Sequence, residues 1–264
     1  MVSDTHKGTA LITGASTGIG SVYADRLARR GYDLILVARN RDLLNTLARR
    51  ITDETRRSVE VVVADLGNKK DLAAVEAKLR SDSSITLLVN NAGVASAASV
   101  LESDVEQMDA MIALNVTALT RLTYAAVPGF VARGAGAVIN ISSIVAIAPE
   151  LLNGVYGASK AFVLAFSQSL HHQLSDKGIR IQAVLPGATR TPLWSLAGVD
   201  IDVALKGSVM TAEDMVDASL VGFDKGELAT IPALPDIADW SAFESARQAL
   251  KPNLSRAEPA QRYR

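Results

Sequence analysis

Tyr156 and Lys160 stand four positions apart in Tyr156-Gly157-Ala158-Ser159-Lys160, where the pattern predicts a helix from about Val155 to Lys177. Helical positions four apart share a face, about one 5.4 Å turn from each other, so phenol and ammonium point the same way. An ammonium beside a phenol favours the phenolate and is expected to bring the tyrosine pKa below its ordinary value near ~10. A tyrosine so shifted can give or take a proton at working pH, the role of a general acid/base. An ordinary surface pair has the same spacing, so the chemistry depends on the surrounding residues. Ser143 closes a predicted strand in Asn140-Ile141-Ser142-Ser143. The carboxyl ends of strands face the ligand crevice of open α/β sheets, and the spacing to Tyr156 favours Ser143 over Ser142. Its hydroxyl can donate to a substrate carbonyl oxygen beside the phenol. Asn115 falls inside an apolar stripe of Met108, Met111, Ile112, Leu119 and Leu122. A buried amide must be hydrogen-bonded, so Asn115 either pins a helix kink or serves the reaction.

A second group of residues suits a diphosphate. Gly14-Ala15-Ser16-Thr17-Gly18-Ile19-Gly20 follows a short apolar strand, Thr9 to Thr13, and opens a helical pattern from Ile19 to Arg30. Glycines let the backbone bend and approach closely, and a helix N-terminus offers free N–H groups and the positive end of its dipole. The tip of the second strand reads Ala38-Arg39. An acidic residue there binds the ribose 2′-OH of NAD, whereas an arginine accommodates a 2′-phosphate. Arg39 presents a planar cationic fork and no carboxylate competes, which favours NADP(H) over NAD(H).

The elements that carry these residues alternate regularly. Strands are expected at Thr9 to Thr13, Asp33 to Ala38, Val59 to Ala64, Ile85 to Val89, Ala137 to Ile141 and Ile179 to Leu185, with a short edge strand at Leu228 to Ile231. Each is a nearly continuous apolar run, the sign of a parallel sheet covered on both faces. Helices are expected at Arg41 to Asp53, Lys69 to Leu79, and from a Ser103–Glu106 capping box to about Tyr124, with Pro128 just beyond its end. Further helices fall at Thr211 to Phe223 and Asp236 to Leu250, before a polar tail at 251–264. The alternation reads as a doubly wound, mostly parallel α/β sheet in a single domain over 1–264.

Thr13-Gly14-x-x-x-Gly18-x-Gly20, Asn90-Asn91-Ala92-Gly93, Asn115, Ser143, Tyr156, Lys160 and Pro186-Gly187 occur together and in order. In this the chain closely resembles the shorter branch of the short-chain dehydrogenase/reductase family, from about Thr9 to Pro232. The resemblance implies a Rossmann-like nucleotide-binding fold and an oxidoreductase acting on a carbonyl or secondary alcohol. It implies that Lys160 also binds the nicotinamide ribose and that Asn115 holds a water in a proton relay to that lysine. It further implies cofactor contacts from Gly14, Ser16, Thr17, Gly18, Ile19, Gly20, Asn91, Ala92 and Gly93, and adenine contacts from Asp65 and Leu66. Pro186, Gly187 and Thr191 match positions that shape the pocket floor and touch the carboxamide. Thr17 departs from the basic residue that members using NADP(H) often place in the turn. A catalytically silent nucleotide-binding regulatory protein on the same scaffold is the alternative.

Composition narrows the partners. The chain has 264 residues, 48% hydrophobic and 21% charged, a net charge of −1 and no cysteine. There is no basic footprint for nucleic acid and no thiolate chemistry. The adjacent His171 and His172 diverge by about 100° on a helix and make a poor metal pair, so no metal is expected. The polar N-terminus and the absence of an expected membrane span set cytoplasmic as the expectation. The segment 188–210 is expected to close over substrate, with Leu193, Trp194, Leu196, Ala197 and Val199 facing Ile144, Val145, Leu151 and Leu152. Apolar walls point to an apolar or aromatic ketone or aldehyde, and the family habit is a homotetramer or dimer.

Overall fold

The computed structural model describes residues 6–196, 200–201 and 205–264, in two compact units, Met1–Pro232 and Ala233–Arg264. In the first, β1 (Thr9–Thr13), β2 (Asp33–Ala38), β3 (Val59–Val63), β4 (Ile85–Asn90), β5 (Gly136–Ile141), β6 (Ile179–Val184) and β7 (Ala229–Thr230) form one parallel sheet in the order β3-β2-β1-β4-β5-β6-β7. Alternation along the strands supplies two cores. Leu34, Leu36, Leu87, Val89 and Ile139 face α1 (Gly18–Arg29), α2 (Arg41–Thr55) and α8 (Ala212–Lys225), through Leu27, Leu44, Ile51 and Phe223. Their neighbours Ile35, Val37, Leu88, Val138 and Ile181 face α3 (Lys69–Ser81), α5 (Leu119–Arg133) and α6 (Gly154–Leu174). Because both faces are covered, the central strands are mostly apolar, and the buried exceptions Asn90, Asn140 and Gln182 are hydrogen-bonded. Strand order reverses between β1 and β4, and the crevice at that switch point is where ligands bind in such sheets.

Two boundaries differ from the sequence expectation. The helix beginning near Ser103 does not stop at Tyr124: α4 (Val105–Ile112) runs through a π-helical turn, Ala113–Ala118, into α5, and Pro128 lies inside α5. Pro128 and Tyr124 are exposed, so the carbonyl that loses its N–H partner faces solvent, while buried Ala125, Ala126 and Phe130 hold the opposite face. Val105–Arg133 is long and apolar enough to cross a membrane, but here it packs on the sheet and α3 and carries Arg121 in an ion pair with Glu76. The capping box does not form either. Asp104 accepts the Glu106 N–H at 3.0 Å, and the Ser103 hydroxyl turns back to the Ser99 carbonyl at 2.6 Å. Ile112, expected on the buried stripe, is 42% exposed.

A short helix, α7 (Pro192–Leu196), follows β6. The second unit holds α9 (Ile237–Ala249), capped by Asp236 and carrying a Trp240–Phe243 ring contact at 5.4 Å. Residues 251–264 are exposed throughout.

Candidate active site

The turn between β1 and α1 is shaped for close backbone approach. Gly14 has φ +64, and a Cβ on Gly20 would stand 2.3 Å from the Gly14 carbonyl oxygen, so neither position accepts a side chain without displacement. Asn91 locks the turn: its amide donates to the carbonyls of Thr13 at 2.9 Å and Gly14 at 3.2 Å. The Thr13 hydroxyl returns the tie by accepting the N–H groups of Asn91 and Ala92, both at 3.0 Å. Asn91 therefore acts as a brace for the turn.

At the start of α1, Thr17 forms no side-chain cap, and the hydroxyls of Ser16 and Thr17 have no hydrogen-bond partner among the described residues. The first-turn N–H groups thus remain open to an anion. Ile19 packs against the core below the turn. Thr191 lies over the turn, since a Cβ on Gly18 would meet its Cβ and Cγ2 at 3.1 Å. These features fit a dinucleotide diphosphate. At the adenosine end, Arg39 is exposed and makes no ion pair among the described residues, and Arg41 is exposed beside it. Asp65 is exposed past β3, accepting the Gly67 N–H at 3.0 Å, while Leu66 is buried.

The carboxyl end of β5 meets α6 at Lys160. Ser142 and Ser143 diverge there: Ser142 donates to the Lys160 carbonyl at 2.7 Å, whereas Ser143 donates to the Pro186 carbonyl at 3.4 Å and accepts the Val145 N–H at 3.4 Å. Lys160 is buried, donates from Nζ to the Ile141 carbonyl at 2.9 Å, and lies 5.7 Å from the Tyr156 ring centroid. Gly93 separates Lys160 from Asn115; a Cβ there would stand 3.6 Å from Lys160 Nζ and 3.1 Å from Asn115 Oδ1. Pro186 is buried and Gly187 half-buried, with Ile144 beside it.

Asn115 sits in the π-helical turn and pairs with Val94 twice, accepting its N–H and donating to its carbonyl, each at 2.9 Å. It also donates to Ser159 Oγ at 3.2 Å. The amide, buried as its place in the apolar stripe requires, thus ties the π-helical turn to Val94 and to α6.

One electrostatic expectation is reversed. The Tyr156 pKa is raised, because burial of the phenol outweighs the opposing interaction with Ser143. The same dry surroundings disfavour the ammonium and lower Lys160 to about 8. Desolvation, which four-residue spacing does not report, dominates both groups.

The substrate side has three walls. Val145 and Tyr156 are buried together with Met108 and Met111, and Ala95, Leu152 and Val155 pack on them. The loop of residues 94–104 thus joins the wall expected from 144–152, and the sequence reading missed it. Leu151 is exposed. The 188–210 segment is tied at its base, where Thr189 bridges Met210 and the Trp194 indole donates to the Thr189 carbonyl at 2.9 Å. Ala197 and Val199 lie outside the described residues, as does the Leu196 side chain.

Residues 8–200 match the family described as short chain dehydrogenase. A short-chain dehydrogenase from Sphingobium yanoikuyae, solved in complex with NADPH, is 51% identical with a TM-score of 0.94, covering 97% of this chain and 100% of that one. A bulky-bulky ketone specific alcohol dehydrogenase from Comamonas testosteroni is 44% identical with a TM-score of 0.90, over 98% and 99% of the two chains. The very-long-chain 3-oxoacyl-CoA reductase of Anas platyrhynchos is 35% identical over 198 residues, 73% of this chain and 63% of that protein. The chain thus spans less than two thirds of that curated relative's length. The similarity runs through the glycine turn and the strand ends around Tyr156 alike, and the chain belongs to the short-chain dehydrogenase/reductase family of oxidoreductases.

Proposed function

We propose that the protein is an NADP(H)-dependent oxidoreductase that moves a hydride between the nicotinamide and a carbonyl or secondary alcohol, with an apolar or aromatic ketone as the preferred carbonyl. The carrying observation is the buried Tyr156, one helical turn from the buried Lys160, whose Nζ lies 5.7 Å from the phenol ring centroid. NADPH bound between the glycine turn and these strand ends supplies the hydride. Ser143 donates to the substrate oxygen and orients it. Tyr156 gives its proton to the oxygen as negative charge develops there, and the nearby Lys160 ammonium stabilises the phenolate left behind. A phenol whose pKa burial has raised is a reservoir that releases its proton only when that charge appears. Asn115 holds the loop at Val94 and, with water, returns the proton through Lys160.

Arg39, with its open guanidinium, supports recognition of the 2′-phosphate, and the NADPH complex of the Sphingobium relative agrees with it. The apolar walls and the ketone named for the Comamonas relative support a carbonyl flanked by sizeable apolar groups. On this reading 1–264 is one dinucleotide-binding and catalytic domain with a substrate-covering segment at 188–210, a cytoplasmic homo-oligomer. No observation favours the catalytically silent alternative. The test is NADPH and NADH oxidation against a panel of aryl and dialkyl ketones and aldehydes. The reading stands if NADPH is the better cofactor and bulky apolar ketones turn over fastest, and falls if no carbonyl accelerates oxidation of either cofactor.

A further inference from the structure

Asn153 lies three residues before Tyr156, 7% exposed, and all four hydrogen-bonding positions of its carboxamide are filled. The oxygen accepts the N–H groups of Val155 at 2.9 Å and Tyr156 at 3.3 Å, capping α6. The nitrogen donates to the Ala98 carbonyl at 2.6 Å and to Ser103 Oγ at 3.0 Å, both in the loop of residues 94–104. Donors on one side and acceptors on the other fix the orientation of the amide. The Ser103 hydroxyl in turn holds the Ser99 carbonyl, so the tie reaches the loop's own fold. That loop brings Ala95 onto the cluster containing Tyr156, and it carries Val100 and Leu101, 87% and 93% exposed.

We propose that Asn153 is a positioning residue that couples two walls of the site: its oxygen sets the first turn of α6, and hence Tyr156, while its nitrogen holds the 94–104 loop at the distance that admits a bulky apolar substrate. The proposal rests on the reading of Tyr156 as proton donor to a carbonyl. Shape makes it specific. Serine keeps a capping oxygen but is too short to reach Ala98, and alanine keeps neither contact.

The test compares Asn153→Ser and Asn153→Ala with the wild type, using NADPH and a diaryl ketone. In the serine variant KM is expected to rise roughly tenfold while kcat stays within about twofold; in the alanine variant kcat also falls, by about tenfold, and serine thus rescues kcat but not KM. Hydrogen exchange supplies a readout that does not need turnover. Amides of the 94–104 loop exchange faster in both variants, whereas those of Val155 and Tyr156 lose protection only in the alanine variant. Unchanged loop exchange, or equal kcat in the two variants, overturns the proposal. If the wild type reduces no ketone, the functional reading fails and the exchange pattern still decides the role of Asn153.

Discussion

Two asparagines brace the two ends of the site in different ways. At the nucleotide end, Asn91 reaches the carbonyls of Thr13 and Gly14, and Cβ atoms built on Gly14 and Gly20 would stand 2.8 and 2.6 Å from its amide nitrogen. Backbone packs on backbone there, with a side-chain amide filling the gap, and any added methyl meets something fixed. At the substrate end, Asn153 joins a helix cap to a loop about fifty residues earlier, and that loop leaves Val100 and Leu101 almost fully exposed. The first arrangement suits one invariant ligand, a diphosphate. The second holds a wall by a single side chain and leaves its composition free to vary, which suits a family whose members share a cofactor and differ in substrate.

The largest effect should come from removing the chemistry while leaving both braces in place. Tyr156→Phe keeps the ring in its cluster and deletes the proton donor, so kcat should fall roughly 10³-fold with NADPH affinity changed less than about twofold. Stopped-flow turnover and NADPH fluorescence titration measure the two quantities separately; retained turnover would remove Tyr156 from the mechanism. Next in size is the converse break. Gly20→Ala places a methyl 2.3 Å from a backbone carbonyl, and the turn must open. NADPH affinity should drop about a hundredfold, with stability lowered by about 1–3 kcal/mol from overpacking. Unaltered affinity would show that the turn has room the geometry denies.

The unequal legibility of the two ends follows from the same contrast. The nucleotide end is written in seven consecutive residues, because a glycine that must bend or be approached closely leaves its mark at that position. The mostly parallel sheet covered on both faces follows from the apolar runs and the regular alternation of strand and helix, and it is found in the structure. Asn153 and the 94–104 loop were invisible because their partners are distant in sequence and of ordinary type: a carbonyl of Ala98 and a hydroxyl of Ser103. Ser103 was misassigned to a capping box for the same reason, its hydroxyl accepting from Asn153, fifty residues on. Pro128 reads as a helix stop until tertiary packing shows which face it occupies. The direction of the Tyr156 shift was hidden because burial belongs to the fold and not to the four-residue spacing.

A smaller effect sharpens the nucleotide end. Arg39 is exposed at the tip of β2 with its guanidinium open. Arg39→Asp replaces a phosphate-binding fork by a carboxylate suited to ribose hydroxyls, so the ratio of kcat/KM for NADPH to that for NADH should fall by about tenfold or more. The substitution touches neither Asn91 nor Tyr156, and kcat at saturating cofactor should stay within about twofold. An unchanged ratio would assign the phosphate to other groups.

The smallest effect concerns Lys160, which belongs to both ends through Ile141 and the Tyr156 ring. Its folded pKa is held at about 8 by burial, against about 10.4 in an unfolded chain. Between those values the unfolded state binds more protons than the native one, so the stability of the cofactor-free protein rises with pH. The buried tyrosines act the other way, Tyr156 and Tyr23 both having raised pKa values, but their contribution is lost only above about pH 10, where the unfolded phenols ionise. From pH 8 to 10 the lysine therefore governs the slope, and calorimetry should show a gain on the order of 1–2 kcal/mol that Lys160→Met abolishes. A flat wild-type profile would mean that water reaches the ammonium in solution. The substrate end would then be wetter than its walls indicate, and burial could no longer explain why Tyr156 keeps its proton until a carbonyl oxygen needs it.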